Sequence, residues 1–187
     1  MSEYSRRQFM ALAGSAAAGV WLTATRGDIL AAGLHAAQAT KFETLTPDDA
    51  IEIEAASAQI VPTDATPGAR EARVVYFIDK ALSTWAKDEK SKFHSLANEL
   101  RSRAAKAQRG AKSFASLPSE KQIAVLTAME KEKEAAPLFG LLRYATIAGM
   151  LANPEWGGNY QKTGWRWIGF DDRFSWGPPF GWYDQNA

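Results

Sequence analysis

Cysteine is absent from the 187 residues, which excludes disulfides, thiolate zinc sites and iron–sulfur clusters held by this chain. Histidine is nearly absent: of the two, His35 lies in the N-terminal stretch, leaving His94 alone beyond residue 39. A single imidazole argues against a His-based metal site or a catalytic triad. No G-x-G-x-x-G run occurs, so nothing marks a dinucleotide or flavin fold in this chain. An excess of one charge is missing too. The formal net charge is +1, and setting aside residues 1–39 removes three arginines and two acids, leaving 19 of each sign. A neutral body carries no electrostatic footprint for nucleic acid. The length suits one domain with a proper core.

Aromatic residues, by contrast, crowd one end. Between Trp156 and Tyr183 stand ten of them, Trp156, Tyr160, Trp165, Trp167, Phe170, Phe174, Trp176, Phe180, Trp182 and Tyr183, among repeated glycines and Pro178-Pro179. That spacing matches neither a helix nor a regular strand, and the glycines and prolines favour an irregular, extended arm over residues 153–187. Rings of this size bury large apolar area and need a surface to lie on. Two surfaces are open: the chain's own helices, or a partner protein, at whose interface Trp and Tyr would dominate. On the partner reading the anchors are Trp156, Trp165, Trp167, Phe170, Trp176, Phe180 and Trp182, with Arg166 as a polar neighbour.

Residues 1–39 read as an export leader rather than as fold. Arg6 and Arg7 precede Phe9 and a mild Ala- and Gly-rich apolar run to Ala24, and Ala37-Gln38-Ala39 offers small-x-small spacing for cleavage. Paired arginines, the Phe two places on and weak hydrophobicity together resemble a twin-arginine signal, with Met10 where Leu is common. Retention as a membrane anchor is the competing reading, but Gly14, Ser15, Gly19, Thr23 and Thr25 dilute a run already short of the roughly 20 apolar residues a bilayer needs. The expectation is a periplasmic protein that engages the twin-arginine export machinery. That route carries folded cargo, commonly loaded with a cofactor, yet no cofactor motif is present here.

Residues 40–152 carry helical periodicity throughout and predict a mainly α fold, a compact bundle of about five helices. Thr46 caps, Pro47 opens and Asp48 and Asp49 favour the first turn of a helix with Ala50, Ile53, Ser57, Ile60 and Val61 on one face, stopped by Pro62. Asp64, in a Pro-Thr-Asp turn, is expected to bond neighbouring amides. Val74, Phe77, Ile78, Ala81, Leu82 and Trp85 place a core helix over about 70–85, with Asp79 as a helix-surface or capping acid. The next helix runs to Gln108 with Phe93, Leu96, Leu100, Ala104 and Ala107 inward and His94 beside the stripe. Ser119 and Gln122 have capping-box spacing ahead of Ile123, Val125, Leu126 and Met129, with Lys131 to Glu134 as a solvated face. Leu138 to Leu151 is apolar on nearly every side and should be the buried central helix, with Gly140 and Gly149 allowing close approach.

With those landmarks in view, the chain resembles the gluconate 2-dehydrogenase subunit 3 family. The resemblance rests on the leader, Ile60-Val61-Pro62-Thr63-Asp64 before Pro67-Gly68-Ala69, Phe77-Ile78-Asp79, Phe139 through Gly149, Asn153-Pro154 with Gly157-Gly158, and Trp165 through Phe170. It implies a non-catalytic small subunit that holds a large FAD-containing sugar or alcohol dehydrogenase of the glucose-methanol-choline type and supplies its export signal, often with a cytochrome c subunit in the complex. No catalytic, cofactor or metal residue is carried over to this chain; the FAD belongs to the partner. A different class, a stand-alone periplasmic sugar-binding module, remains open because Trp and Tyr faces also stack on sugar rings. A hydrolase using Asp64 and Asp79 is disfavoured, since nothing in their spacing sets two carboxyls across one site.

Overall fold

The Thr46 hydroxyl accepts the Asp49 amide at 3.1 Å and starts helix α1, Pro47–Ile60, in the computed structural model, which describes residues 41–173. Ala50, Ile53, Ala56 and Ser57 are buried on its inner face. At its end the chain doubles back so tightly that a Cβ on Gly68 would lie 2.5 Å from the Val61 carbonyl. Asp64 accepts the Thr66 amide at 2.8 Å, as the turn composition predicts.

Helix α2 spans Val74–Ser83, shorter at both ends than the periodicity suggests. Residues 70–73 form a turn that closes on Arg73 in the left-handed region, φ 56. The far end stops where the Ser83 and Thr84 hydroxyls both donate to the Lys80 carbonyl, at 2.9 and 2.6 Å, drawing it out of the helical ladder. Helix α3, Lys90–Ala107, buries Phe93, Leu96, Leu100 and Ala104. Ala107, expected inward, is exposed because the last turn of α3 runs past the edge of the core.

Helix α4, Ser119–Lys131, corrects the capping-box reading. Pro118 occupies the cap, and Gln122 is buried instead, its Nε2 donating to the Phe114 carbonyl at 3.0 Å while its Oε1 accepts from Gln59 at 2.6 Å. Turning Gln122 inward leaves its neighbour Ile123 half exposed, against the expectation of a core position. Lys131 to Glu134 are exposed as expected.

Helix α5, Ala136–Leu151, packs against α1, α2, α3 and α4, which is the central position its apolar circumference predicts. Gly149 faces α2, where a Cβ would stand 3.0 Å from Phe77 Cδ1; Gly140 looks onto open space, so close approach is needed at only one of the two glycines. The fold is mainly α; the described residues hold five longer helices and a short sixth, α6 at Thr163–Ile168, laid across the end of α5.

Candidate partner-docking surface

The last carbonyls of a helix have no partner inside it, and residues 153–165 supply partners for those of α5. The Asn159 amide donates to the Gly149 carbonyl at 2.8 Å, its side-chain Nδ2 to Ala152 at 2.9 Å, and the Trp165 indole to Leu151 at 2.8 Å. Asn159 Oδ1 turns the other way and accepts the Gly164 amide at 2.7 Å. Backbone approach here is close enough to dictate composition: a Cβ on Gly164 would lie 1.8 Å from the Met150 carbonyl, and one on Gly158 2.4 Å from that of Gly149. The path is irregular, as the glycines predict, with 3-10 turns at Pro154–Trp156 and Tyr160–Lys162. The six-residue helix α6 is a feature the glycine spacing concealed.

The described residues among those singled out in the sequence make different ring contacts. Trp156 is partly buried with its ring edge-on to Trp85, centroids 5.6 Å apart, and Trp85 in turn packs on Phe77 at 6.0 Å. The indole N–H groups of Trp85 and Trp156 are both out of solvent, and no acceptor among the described residues meets them. Trp165 is partly buried and meets Phe170 edge-on at 5.1 Å. Phe170 is half exposed, Arg166 is exposed and Trp167 partly buried. Trp176, Phe180 and Trp182, like Arg6, Arg7 and Phe9 of the leader, lie outside the described residues.

Asn159, Tyr160 and Arg73 are not among the anchors read from the sequence. Asn159 is the clasp, and its signal was there in Gly157-Gly158-Asn159, since asparagine tolerates the left-handed conformation it adopts. Tyr160 is 40% exposed. Its amide donates to the Ala72 carbonyl at 3.1 Å, and the Arg73 guanidinium carbon sits 3.7 Å from its ring centroid. Nothing in the sequence pairs residues 73 and 160.

Asp79, Asp64, Asp49 and Glu52 each accept hydrogen bonds from elsewhere in the fold or its turns. Asp79 is buried, and instead of lying on the helix surface it accepts the amides of Glu43, Thr44 and Leu45 at 2.8, 2.9 and 2.7 Å, fixing the segment ahead of α1. Asp64 is spent on its own exposed turn. Asp49 is buried at the start of α1 and takes hydrogen bonds from Arg101 at 2.6 Å and His94 Nδ1 at 2.9 Å. Burial raises the Asp49 carboxyl, but the hydrogen bonds of Arg101, His94 and Thr46 outweigh it and hold it below the usual carboxylate range. Burial pushes Glu52 up, against the lowering effect of the Ala115 and Phe114 amides. Among the described residues no three of His, Cys, Asp and Glu gather as a metal site, and no helix is long and apolar enough to cross a membrane.

Among the described residues a helical body is closed at one end by a segment that folds back over α5 as a ring-bearing clasp. The chain belongs to the family described as gluconate 2-dehydrogenase subunit 3, whose model matches residues 47–172. That description makes it a subunit of a multi-subunit dehydrogenase, with partner subunits implied. Neither the curated proteins nor the solved structures give a match.

Proposed function

We propose that this chain is the non-catalytic small subunit of a periplasmic FAD-dependent sugar or alcohol dehydrogenase of the glucose-methanol-choline type. It holds the flavoprotein subunit in a competent state and carries the twin-arginine signal that exports both; the FAD resides in the large subunit, and a cytochrome c subunit completes the complex in some settings. The observation that carries the reading is the family match over residues 47–172, which includes the clasp that leaves Tyr160 and Phe170 exposed at the surface. Large exposed rings at a fixed, folded end are what a partner surface uses as anchors.

The test is co-purification through a tag on this chain, with the flavin absorbance of the large subunit as readout. Replacing Trp165 and Trp167 together by Ala should reduce the flavoprotein recovered at least tenfold. Full recovery would remove the clasp as the docking element. Purified alone, the chain should give no saturable change in Trp fluorescence with gluconate, glucose or sorbitol; a saturable change would favour the sugar-binding class instead.

A further inference from the structure

Every non-glycine residue with positive φ among the described residues gathers at one contact. Arg73 (φ 56) lies under Tyr160, and Asn159, Gln161 and Lys162 (φ 45, 54 and 60) flank it. Such backbone is unfavourable for side-chain-bearing residues and persists only where the surroundings impose it. Asn159 is accounted for by its role as clasp of α5. Gln161, Lys162 and Arg73 are not: Gln161 is exposed, and its side chain makes no hydrogen bond among the described residues. The Lys162 ammonium pairs, among the described residues, with the surface carboxylate of Asp172 at 2.8 Å.

What this backbone achieves is presentation. It turns Tyr160 outward and sets the Arg73 guanidinium against one face of its ring. Arg73 forms no ion pair among the described residues. The acid nearest it in sequence, Glu71, is turned away to Thr63 and Gly68, at 2.7 and 2.8 Å. A guanidinium fixed on a ring is already ordered, so little side-chain freedom is lost when its free edge meets a carboxylate. Tyr and Arg are also the residue types that dominate interface hot spots. The pair is continuous with α6, since the Thr163 hydroxyl donates to the Tyr160 carbonyl at 2.5 Å.

We infer that the Arg73–Tyr160 pair is a preformed docking anchor for the large dehydrogenase subunit, receiving a carboxylate of that subunit on the guanidinium edge and an apolar side chain on the exposed rim of the ring. The inference rests on the docking function proposed above and adds a second anchor, chemically distinct from the tryptophans of α6, that makes part of the affinity salt-dependent.

The test is a titration of the purified flavoprotein subunit with variants of this chain, each also melted alone. Arg73→Gly suits the left-handed backbone better than arginine does, so its melting temperature should hold or rise while affinity falls at least tenfold and loses its salt dependence. Tyr160→Phe keeps the ring and should stay within about threefold of wild type; Tyr160→Ala should lose at least tenfold. Arg73→Lys keeps charge without the planar edge and should fall between. Wild-type affinity in Arg73→Gly and Tyr160→Ala, with loss in the Trp165 and Trp167 variants, overturns this inference and leaves the docking function standing. Wild-type affinity in Arg73→Gly, in Tyr160→Ala and in the variant with Trp165 and Trp167 both replaced overturns both. Affinity and melting temperature falling together in Arg73→Gly assigns the pair to the fold alone, which also overturns it.

Discussion

The side-chain oxygen of Asn159 accepts the Gly164 amide at 2.7 Å, closing the chain over the end of α5. The same side chain donates to the Ala152 carbonyl at 2.9 Å, and the residue is fully buried. Asn159→Ala therefore strands a buried amide and a partly buried carbonyl, and forces alanine to φ 45. The expected loss is about 3 kcal/mol, read as a shift in urea unfolding. A loss under about 1 kcal/mol would show that the clasp is held by something else.

Two glycines near α5 should respond to alanine in opposite directions. At Gly164 the new Cβ would lie 1.8 Å from the Met150 carbonyl. That distance cannot be absorbed by a side chain moving aside, so α6 must lift from the bundle and Trp165 must lose its bond to Leu151. A red shift of Trp emission and a drop in melting temperature are expected for Gly164→Ala. Gly140 sits in the helix with nothing within 4 Å of its would-be Cβ, and Gly140→Ala should stabilise by about 0.5–1 kcal/mol through helix propensity. Destabilisation by Gly140→Ala would mean that the first turns of α5 are more crowded than they look.

The helical body was legible in the sequence because its apolar positions repeat at three and four residues, and because Thr46-Pro47 and Pro62 punctuate α1 strongly. What the sequence hid were places where a tertiary partner overrides a local signal. Gln122 looks like a capping-box residue, but Gln59 and the Phe114 carbonyl compete for it and win. In the sequence Asp79 reads as a helix-surface or capping acid, because its three partners, the amides of residues 43 to 45, come from some 35 positions upstream. At the C-terminal end the aromatic count drew attention to tryptophans. The contact of Arg73 with Tyr160 left no trace in spacing, since it depends on the turn at residues 70–73 and the clasp at Asn159 both being formed.

Acid should act on the fold through Asp49 and Glu52 with opposite signs. Asp49 sits below its ordinary value of 3.8 in the folded chain. Its contribution is therefore complete above about pH 4, and it is lost as the pH falls through the depressed folded value. Glu52 sits above its ordinary value of 4.5, so its ionisation costs stability as the pH rises from that value through the raised one. Asp49→Asn should flatten the acid limb of the stability curve below pH 4. Glu52→Gln should stabilise at pH 7 and have little effect near pH 4, because the amide oxygen can still accept the Ala115 amide now held at 3.1 Å. Urea unfolding at stepped pH measures both, and equal effects of Glu52→Gln at the two pH values would contradict the assignment.

Two tryptophans of the clasp should answer differently to the same substitution. Trp156 brings its indole N–H out of solvent against Trp85 without meeting an acceptor among the described residues, and such an unmet donor costs about 1–3 kcal/mol. Trp156→Phe removes that donor while keeping most of the ring, so the gain offsets the lost contact and the melting temperature should stay within a few degrees of wild type. Trp156→Ala opens a cavity between α2 and the 154–156 turn and should cost about 2–3 kcal/mol. Trp165 donates to the Leu151 carbonyl at 2.8 Å, so Trp165→Phe leaves an end carbonyl of α5 without its partner and should cost about 1–2 kcal/mol. The decisive quantity is the difference between the two Phe variants in one set of urea melts. If Trp156→Phe is the more damaging, the Trp156 indole has an acceptor in solution, and its place in the Phe77–Trp85 cluster rests on that bond as well as on packing.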